Sequence, residues 1–188
     1  MGYYVVTGGT RLSGELRVQG SKNSSLPILA ATILSGKKSL IKDVPNINDV
    51  DVMVEIMRIL GADVTRYGNI IEVDSANICS FEVPEHLMRK MRSSIILMGA
   101  ILGRFGKVRV SYPGGCEIGP RPIDLHLKGL AMMGVDMQER HGFIYAETKQ
   151  LKGADIHLDF PSVGATENLM LAGVLAKGQT IIRNAAKE

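Results

Sequence analysis

Three stretches of this 188-residue chain read alike: Ser24–Pro45 (SSLPILAATILSGKKSLIKDVP), Ser93–Pro113 (SSIILMGAILGRFGKVRVSYP) and Glu167–Ala185 (ENLMLAGVLAKGQTIIRNA). Each is an apolar run, then a glycine among basic or polar residues, then a β-rich strand. The glycines Gly36, Gly106 and Gly178 fall 70 and 72 residues apart. Such a period constrains the fold strongly, because each copy is one packing unit that buries its apolar face against the others.

Copies one and two continue in parallel. Val50–Leu60 places apolar residues at 50, 53, 57 and 60 on one helix face, with Asn48 expected as N-cap and Gly61 as terminator. Ile123–Met133, closed by Gly134, is its counterpart. Each helix leads into a hairpin: Ala62–Arg66 with Ile70–Asp74, and Val135–Arg140 with Phe143–Glu147. The unit is helix, strand, helix, strand, strand. Copy three reaches only its first helix and strand, so we expect it to continue beyond Glu188. The first helices, as at Leu26–Ala31 and Ile95–Ala100, are apolar nearly all round and are expected to be buried on every side. The expected class is α/β (α+β), a pseudo-threefold repeat of these units around buried helices with the third incomplete. A single open sheet with helices on both faces is the competing arrangement.

Composition removes several classes of function. Twenty-two Lys and Arg against nineteen Asp and Glu leave +3, too little to indicate a nucleic-acid partner. The longest apolar runs, Ile95–Leu102 and Leu169–Ala176, fall far short of the ~20 residues of a membrane span. The first residues carry no secretory pattern, and Val6 breaks the myristoylation motif. Two cysteines, 79 and 116, make neither a metal-ligand spacing nor a disulfide framework. A reduced, cytoplasmic setting is the expectation, with no metal or cofactor.

Candidate chemistry clusters at the helix starts. Lys22 and Asn23 precede the first buried helix, where a cation is disfavoured by the helix dipole unless an anion is bound nearby. Arg89, Lys90 and Arg92 crowd the equivalent stretch of copy two, and Ser162-Val163-Gly164-Ala165-Thr166 opens copy three with small residues and approachable N–H groups. Together they suit a polyanionic small molecule; singly, each cation also reads as a solvated surface charge. Pro113–Pro122 (PGGCEIGPRP) is an irregular loop in which Arg121 favours the thiolate of Cys116, although a structural thiol reads equally well. Cys79, between Ile78 and Phe81, is expected to be packed and inert. Asp124 and His126 follow the loop, and His126 suits either a phosphate contact or a cap of that turn.

Ser21-Lys22-Asn23, Arg92-Ser93-Ser94, the stretch PGGCEIGPRPIDLH (Pro113–His126) and Ser162–Thr166 together resemble the enolpyruvyl transferases of the UDP-N-acetylglucosamine 1-carboxyvinyltransferase family, in order and over the whole chain. The shikimate-pathway relative shares the repeat but not the cysteine loop. The resemblance implies an inside-out α/β barrel architecture with two domains and substrates in the cleft between them. Residues 1–20, with a strand over about Tyr3–Val18, would belong to the second domain. Residues 21–188 would be an incomplete first domain, with units at about 21–88, 89–161 and 162–188.

The resemblance also implies roles. Phosphoenolpyruvate and UDP-N-acetylglucosamine would be the substrates, in the first committed step of peptidoglycan precursor synthesis. Lys22, Asn23, Arg92, Arg121, Pro122, Ile123, Asp124, Leu125, His126, Ser162, Val163 and Gly164 match substrate-binding positions. Cys116 matches the residue that protonates C3 of phosphoenolpyruvate and reacts with fosfomycin. Some members carry Lys where Phe160 stands, so no phosphate contact is expected there. The aspartate base and further cleft arginines would lie beyond Glu188, leaving this stretch alone inactive. A non-catalytic sugar-nucleotide-binding paralogue is the alternative, against which the presence of Cys116, Lys22 and Arg121 speaks.

Overall fold

A computed structural model of the chain describes residues 2–114 and 123–187. The first unit contains α1 (Lys22–Ser35), β1 (Lys38–Ile41), α2 (Asn48–Leu60), β2 (Asp63–Tyr67) and β3 (Ile70–Asp74). A one-turn helix, α3 (Glu85–Met88), and a 3-10 segment (Arg92–Ile96) then lead into α4 (Leu97–Phe105) and β4 (Lys107–Ser111). Next come α5 (Asp124–Met132), β5 (Asp136–Arg140) and β6 (Phe143–Glu147), and finally β7 (Asp155–His157), α6 (Val163–Gly173) and β8 (Ile181–Arg183).

The strands form two antiparallel three-stranded sheets, ordered β1-β3-β2 and β4-β6-β5, plus a separate parallel pair, β7-β8. A single open sheet is therefore excluded. The two larger sheets share register as well as order. Asp74 pairs with both Lys38 and Asp63, and Glu147 with both Lys107 and Asp136. The β7–α6–β8 crossover has the form a parallel pair requires. Nothing in the sequence pattern signalled β7 or α3, both of which are too short to show a period.

Helix boundaries shift slightly from expectation. Asn48 is the first residue of α2, and Ile47 takes the cap position with extended backbone. Gly36, Gly61 and Gly106 do end α1, α2 and α4 in the left-handed conformation that a side chain resists. Gly178 also has positive φ, but α6 ends before it, at Gly173. Residues 2–20 carry neither helix nor strand, so the strand expected over about Tyr3–Val18 is absent. Their side-chain link to the rest is Arg17 to Asp43, at 2.8 Å.

Burial on every side holds for α4, whose Leu97–Leu102 run is wholly enclosed. The other two long apolar helices keep one face open: Ile28 on α1 and Met170 on α6 are about half exposed. These three helices pack against one another, with α5 against α6 and α2 against α1. Arg104 of α4 fastens the first unit to the second. Its guanidinium donates to the Ile33 carbonyl (2.9 Å), the Ser75 carbonyl (2.6 Å) and the Ala76 carbonyl (3.2 Å). The Ile33 carbonyl is one of the last-turn acceptors that a helix cannot satisfy internally.

The tightest approach between two helices is at Gly99, where α4 meets α6. A Cβ there would lie 2.2 Å from the Asn168 carbonyl oxygen and 2.5 Å from its Oδ1. At Gly129 of α5 the added Cβ would meet only the Leu169 methyl groups, at 2.6 Å, and those can rotate away. We predict that Gly99→Ala lowers stability by about 1–3 kcal/mol or more, since backbone must move. Gly129→Ala should stay within ~1 kcal/mol of the parent, because the ~1 kcal/mol helix-propensity gain offsets the repacking. Urea midpoints of the two variants measure the contrast.

Candidate functional site

Three helix starts converge on one cleft of about 680 Å³. Lys22 and Asn23 enter it from α1, Arg92 and Ser93 from the 3-10 segment, and Ser162, Val163 and Gly164 from the start of α6. His126 of α5 forms part of the wall. Backbone N–H groups at such starts lack intrahelical partners and favour anions. Lys22 and Asn23 are the first residues of α1 rather than its lead-in. Pro27, also on the wall, has no N–H to offer the Asn23 carbonyl, so this turn of α1 lacks one helical bond.

Lys22 is paired with a side chain of the protein itself: Asp49 Oδ2 is 3.0 Å from the Lys22 ammonium. Asp49 sits in the first turn of α2, itself a favourable place for a carboxylate. Lys90 and Glu167 complete the charged lining, and burial raises the Glu167 carboxyl above its ordinary value. Arg89 turns elsewhere and pairs with Glu85 on its own turn at 2.7 Å. Asp49 and Glu167 were missed in the sequence. The Lys22–Asp49 pair links two helices that no local spacing relates, and Glu167 stands just before the apolar run Leu169–Ala176.

His126 is 5% exposed, and its ring Nδ1 lies 2.9 Å from Asn168 Nδ2. Burial first, then the Arg92 charge, lowers its pKa from 6.5 to about 4. The imidazole is therefore neutral at pH 7. The side chains of Ile123 and Leu125 belong to the core, so their backbone is what they offer a ligand. Asp124 is exposed at the start of α5 and lies outside the cleft wall. Phe160 lies on the wall and is more than half exposed, so it presents a carbon surface to the cleft.

Cys116, Arg121 and Pro122 lie outside the described residues. Cys79 is exposed rather than packed; the chain turns Ile78 inward, and the next side chain consequently points out. Among the described residues, no group of His, Cys, Asp and Glu is placed to hold a metal ion. No described helix is long and apolar enough to cross a membrane.

Comparison with protein families matches residues 6–188 to EPSP synthase (3-phosphoshikimate 1-carboxyvinyltransferase). The UDP-N-acetylglucosamine 1-carboxyvinyltransferase 2 of Caldanaerobacter subterraneus subsp. tengcongensis is 54% identical over 188 residues, all of this chain and 45% of that protein. The UDP-N-acetylglucosamine 1-carboxyvinyltransferase 2 of Clostridium tetani is 50% identical over 190 residues, covering 100% of this chain and 46% of its own length. Among solved structures, the enolpyruvyl transferase NikO from Streptomyces tendae superposes with a TM-score of 0.79 at 26% identity, over 93% of this chain and 41% of that one. An EPSP synthase from Acinetobacter baumannii gives 0.66 at 18% identity, over 90% and 40%, a likeness of fold alone. The chain spans about half the length of the curated relatives it matches.

The buried imidazole makes stability depend on pH. His126 binds its proton near 6.5 when unfolded and near 4 when folded, so between those values the unfolded state holds more protons. Its contribution is complete above pH 6.5 and is lost as pH falls toward 4, by roughly 2–3 kcal/mol at pH 4.5. Denaturant titrations at pH 7 and 4.5 should show this loss in the parent. His126→Gln should remove that component of the pH dependence.

Proposed function

Because the chain belongs to the EPSP synthase (3-phosphoshikimate 1-carboxyvinyltransferase) family, we propose that its cleft is half of an active site that transfers the enolpyruvyl group of phosphoenolpyruvate to the 3′-hydroxyl of UDP-N-acetylglucosamine. The observation that carries this reading is the convergence of Lys22, Asn23, Arg92, His126, Ser162 and Gly164, from four separate elements, on one cleft. Both substrates are polyanions, and the cleft supplies cations beside helix N-termini. Relatives about 50% identical and named for UDP-N-acetylglucosamine support the sugar nucleotide over shikimate 3-phosphate as acceptor.

The chemistry is addition followed by elimination. The sugar hydroxyl oxygen attacks C2 of phosphoenolpyruvate and loses its proton to a base, while an acid protonates C3, giving a tetrahedral ketal. Loss of a C3 proton with departure of inorganic phosphate restores the double bond as an enol ether. Lys22 and Arg92 neutralise phosphate and carboxylate charge, which matters most in the transition state within a shielded cleft. Cys116 is the C3 acid, and the neutral His126 donates a hydrogen bond. The base and the opposite wall would belong to the part of the relatives' length that this chain does not cover. The stretch described here would therefore bind weakly and not turn over.

Residues 1–20 would join the second domain. Tyr3, Tyr4, Val5, Val6, Leu12, Leu16 and Val18 are all exposed, which leaves an apolar segment without cover. The reaction serves peptidoglycan precursor synthesis and is cytoplasmic.

Phosphate release by the complete protein should require both phosphoenolpyruvate and UDP-N-acetylglucosamine. Cys116→Ala should lower kcat by about 10²–10⁴-fold, the usual share of a positioned acid. Fosfomycin should add to Cys116 by mass spectrometry, and not to Cys79, whose exposure makes it an internal control for mere accessibility. Release with shikimate 3-phosphate instead, or an adduct on Cys79 alone, would overturn the reading.

A further inference from the structure

Asn168 is wholly buried in the middle of α6, an expensive place for an amide unless every polar atom is satisfied. Its Oδ1 accepts from the Gly99 N–H at 2.6 Å, and its Nδ2 donates to the Ile95 carbonyl at 3.3 Å. A backbone N–H can only donate and a carbonyl can only accept. Two independent partners thus fix which end of the amide is oxygen and which is nitrogen. The second Nδ2 hydrogen then points at His126 Nδ1, 2.9 Å away. An N–H facing an N–H would be repulsive, so Nδ1 presents a lone pair and the ring proton resides on Nε2.

The other edge of the ring faces the cleft. A Cβ on Gly164 would lie 3.3 Å from His126 Cε1 and 3.5 Å from Nε2, and both residues line the same wall. Among the described residues Nε2 has no hydrogen-bond partner. Arg92 is the charge that bears on the ring, and Lys22, Lys90, Asp49 and Glu167 are the other ionisable groups lining the cleft.

We propose that Asn168 is a positioning residue that locks His126 as the neutral Nε2–H tautomer, turning the ring into a fixed donor for an acceptor oxygen of the bound ligand. As far as that ligand is a substrate, the inference rests on the function proposed above. The lock itself rests only on the amide's partners. A charged imidazolium would have the wrong proton on Nδ1 and would break the contact with Asn168. The lowered pKa of the ring agrees with this exclusion.

The test is nitrogen NMR of the histidine ring in ¹⁵N-labelled protein, ligand-free, between pH 4 and 8. The parent should show His126 protonated on Nε2 and not on Nδ1 throughout the neutral range. Asn168→Asp replaces the donor by a carboxylate, which demands a proton on Nδ1. It should convert the ring to the Nδ1–H or doubly protonated form and raise its midpoint by about 1–3 pH units. Backbone amide spectra report whether the variant folds; if it does not, the parent ring decides alone. A parent ring protonated on Nδ1, one titrating near 6.5, or a folded Asn168→Asp protein with an unchanged ring would overturn the proposal. UDP-N-acetylglucosamine added to the parent should shift the Nε2–H resonance. If it does not while the tautomer is as stated, the lock is supported and the substrate reading fails.

Discussion

Where α4 and α6 meet, Gly99 lets backbone touch backbone, and the Asn168 side chain fills the junction. That amide ties α4, the 3-10 segment, α5 and α6 together through three hydrogen bonds. Each group, taken alone, would be costly to bury; together they are satisfied and specify a single packing of four helical elements. The cleft exists because of that packing. The start of α6, the ring of His126 and the first turn of the 3-10 segment all lie close to the junction, so their relative positions are inherited from it.

Charge in the cleft is balanced rather than simply positive. Lys22 faces the N-terminal end of its own helix dipole and is held there by Asp49. A bound phosphate or carboxylate would take over Asp49's role as counter-ion, so the ammonium is oriented in advance at small cost in side-chain entropy. Glu167, whose carboxyl pKa burial raises, adds a second carboxyl group to the lining. The neutral imidazole contributes direction without charge.

Much of this was legible in the amino-acid order. The period-3.6 pattern of Val50, Met53, Met57 and Leu60 and the two Gly-centred hairpins gave elements that the structure reproduces to within a residue or two, because each depends on local periodicity and turn chemistry. The convergence of Lys22, Arg92, His126 and Ser162 was legible through repeat and resemblance, not through spacing. What escaped depends on contacts distant in sequence. Asp49 becomes a site residue only once α2 lies beside α1, and Cys79 becomes exposed only once Ile78 has taken the inward position. The all-round apolarity of α1 and α6 overstated their burial, since Ile28 and Met170 remain open. Residues 2–20 likewise form no strand, since local propensity does not supply a pairing partner.

A cleft whose walls come from segments about 140 residues apart, Lys22 and Val163, has a consequence for the order of folding. The hairpins and the helices beside them close over short loops and can form early; the juxtaposition of Lys22 with Val163 has to wait for the longest loop to close. Ligand-binding competence is then among the last properties the chain acquires and among the first it loses on partial opening. Any molecule that fits between α1 and α6 fastens these two distant segments and favours the closed state in proportion to its affinity.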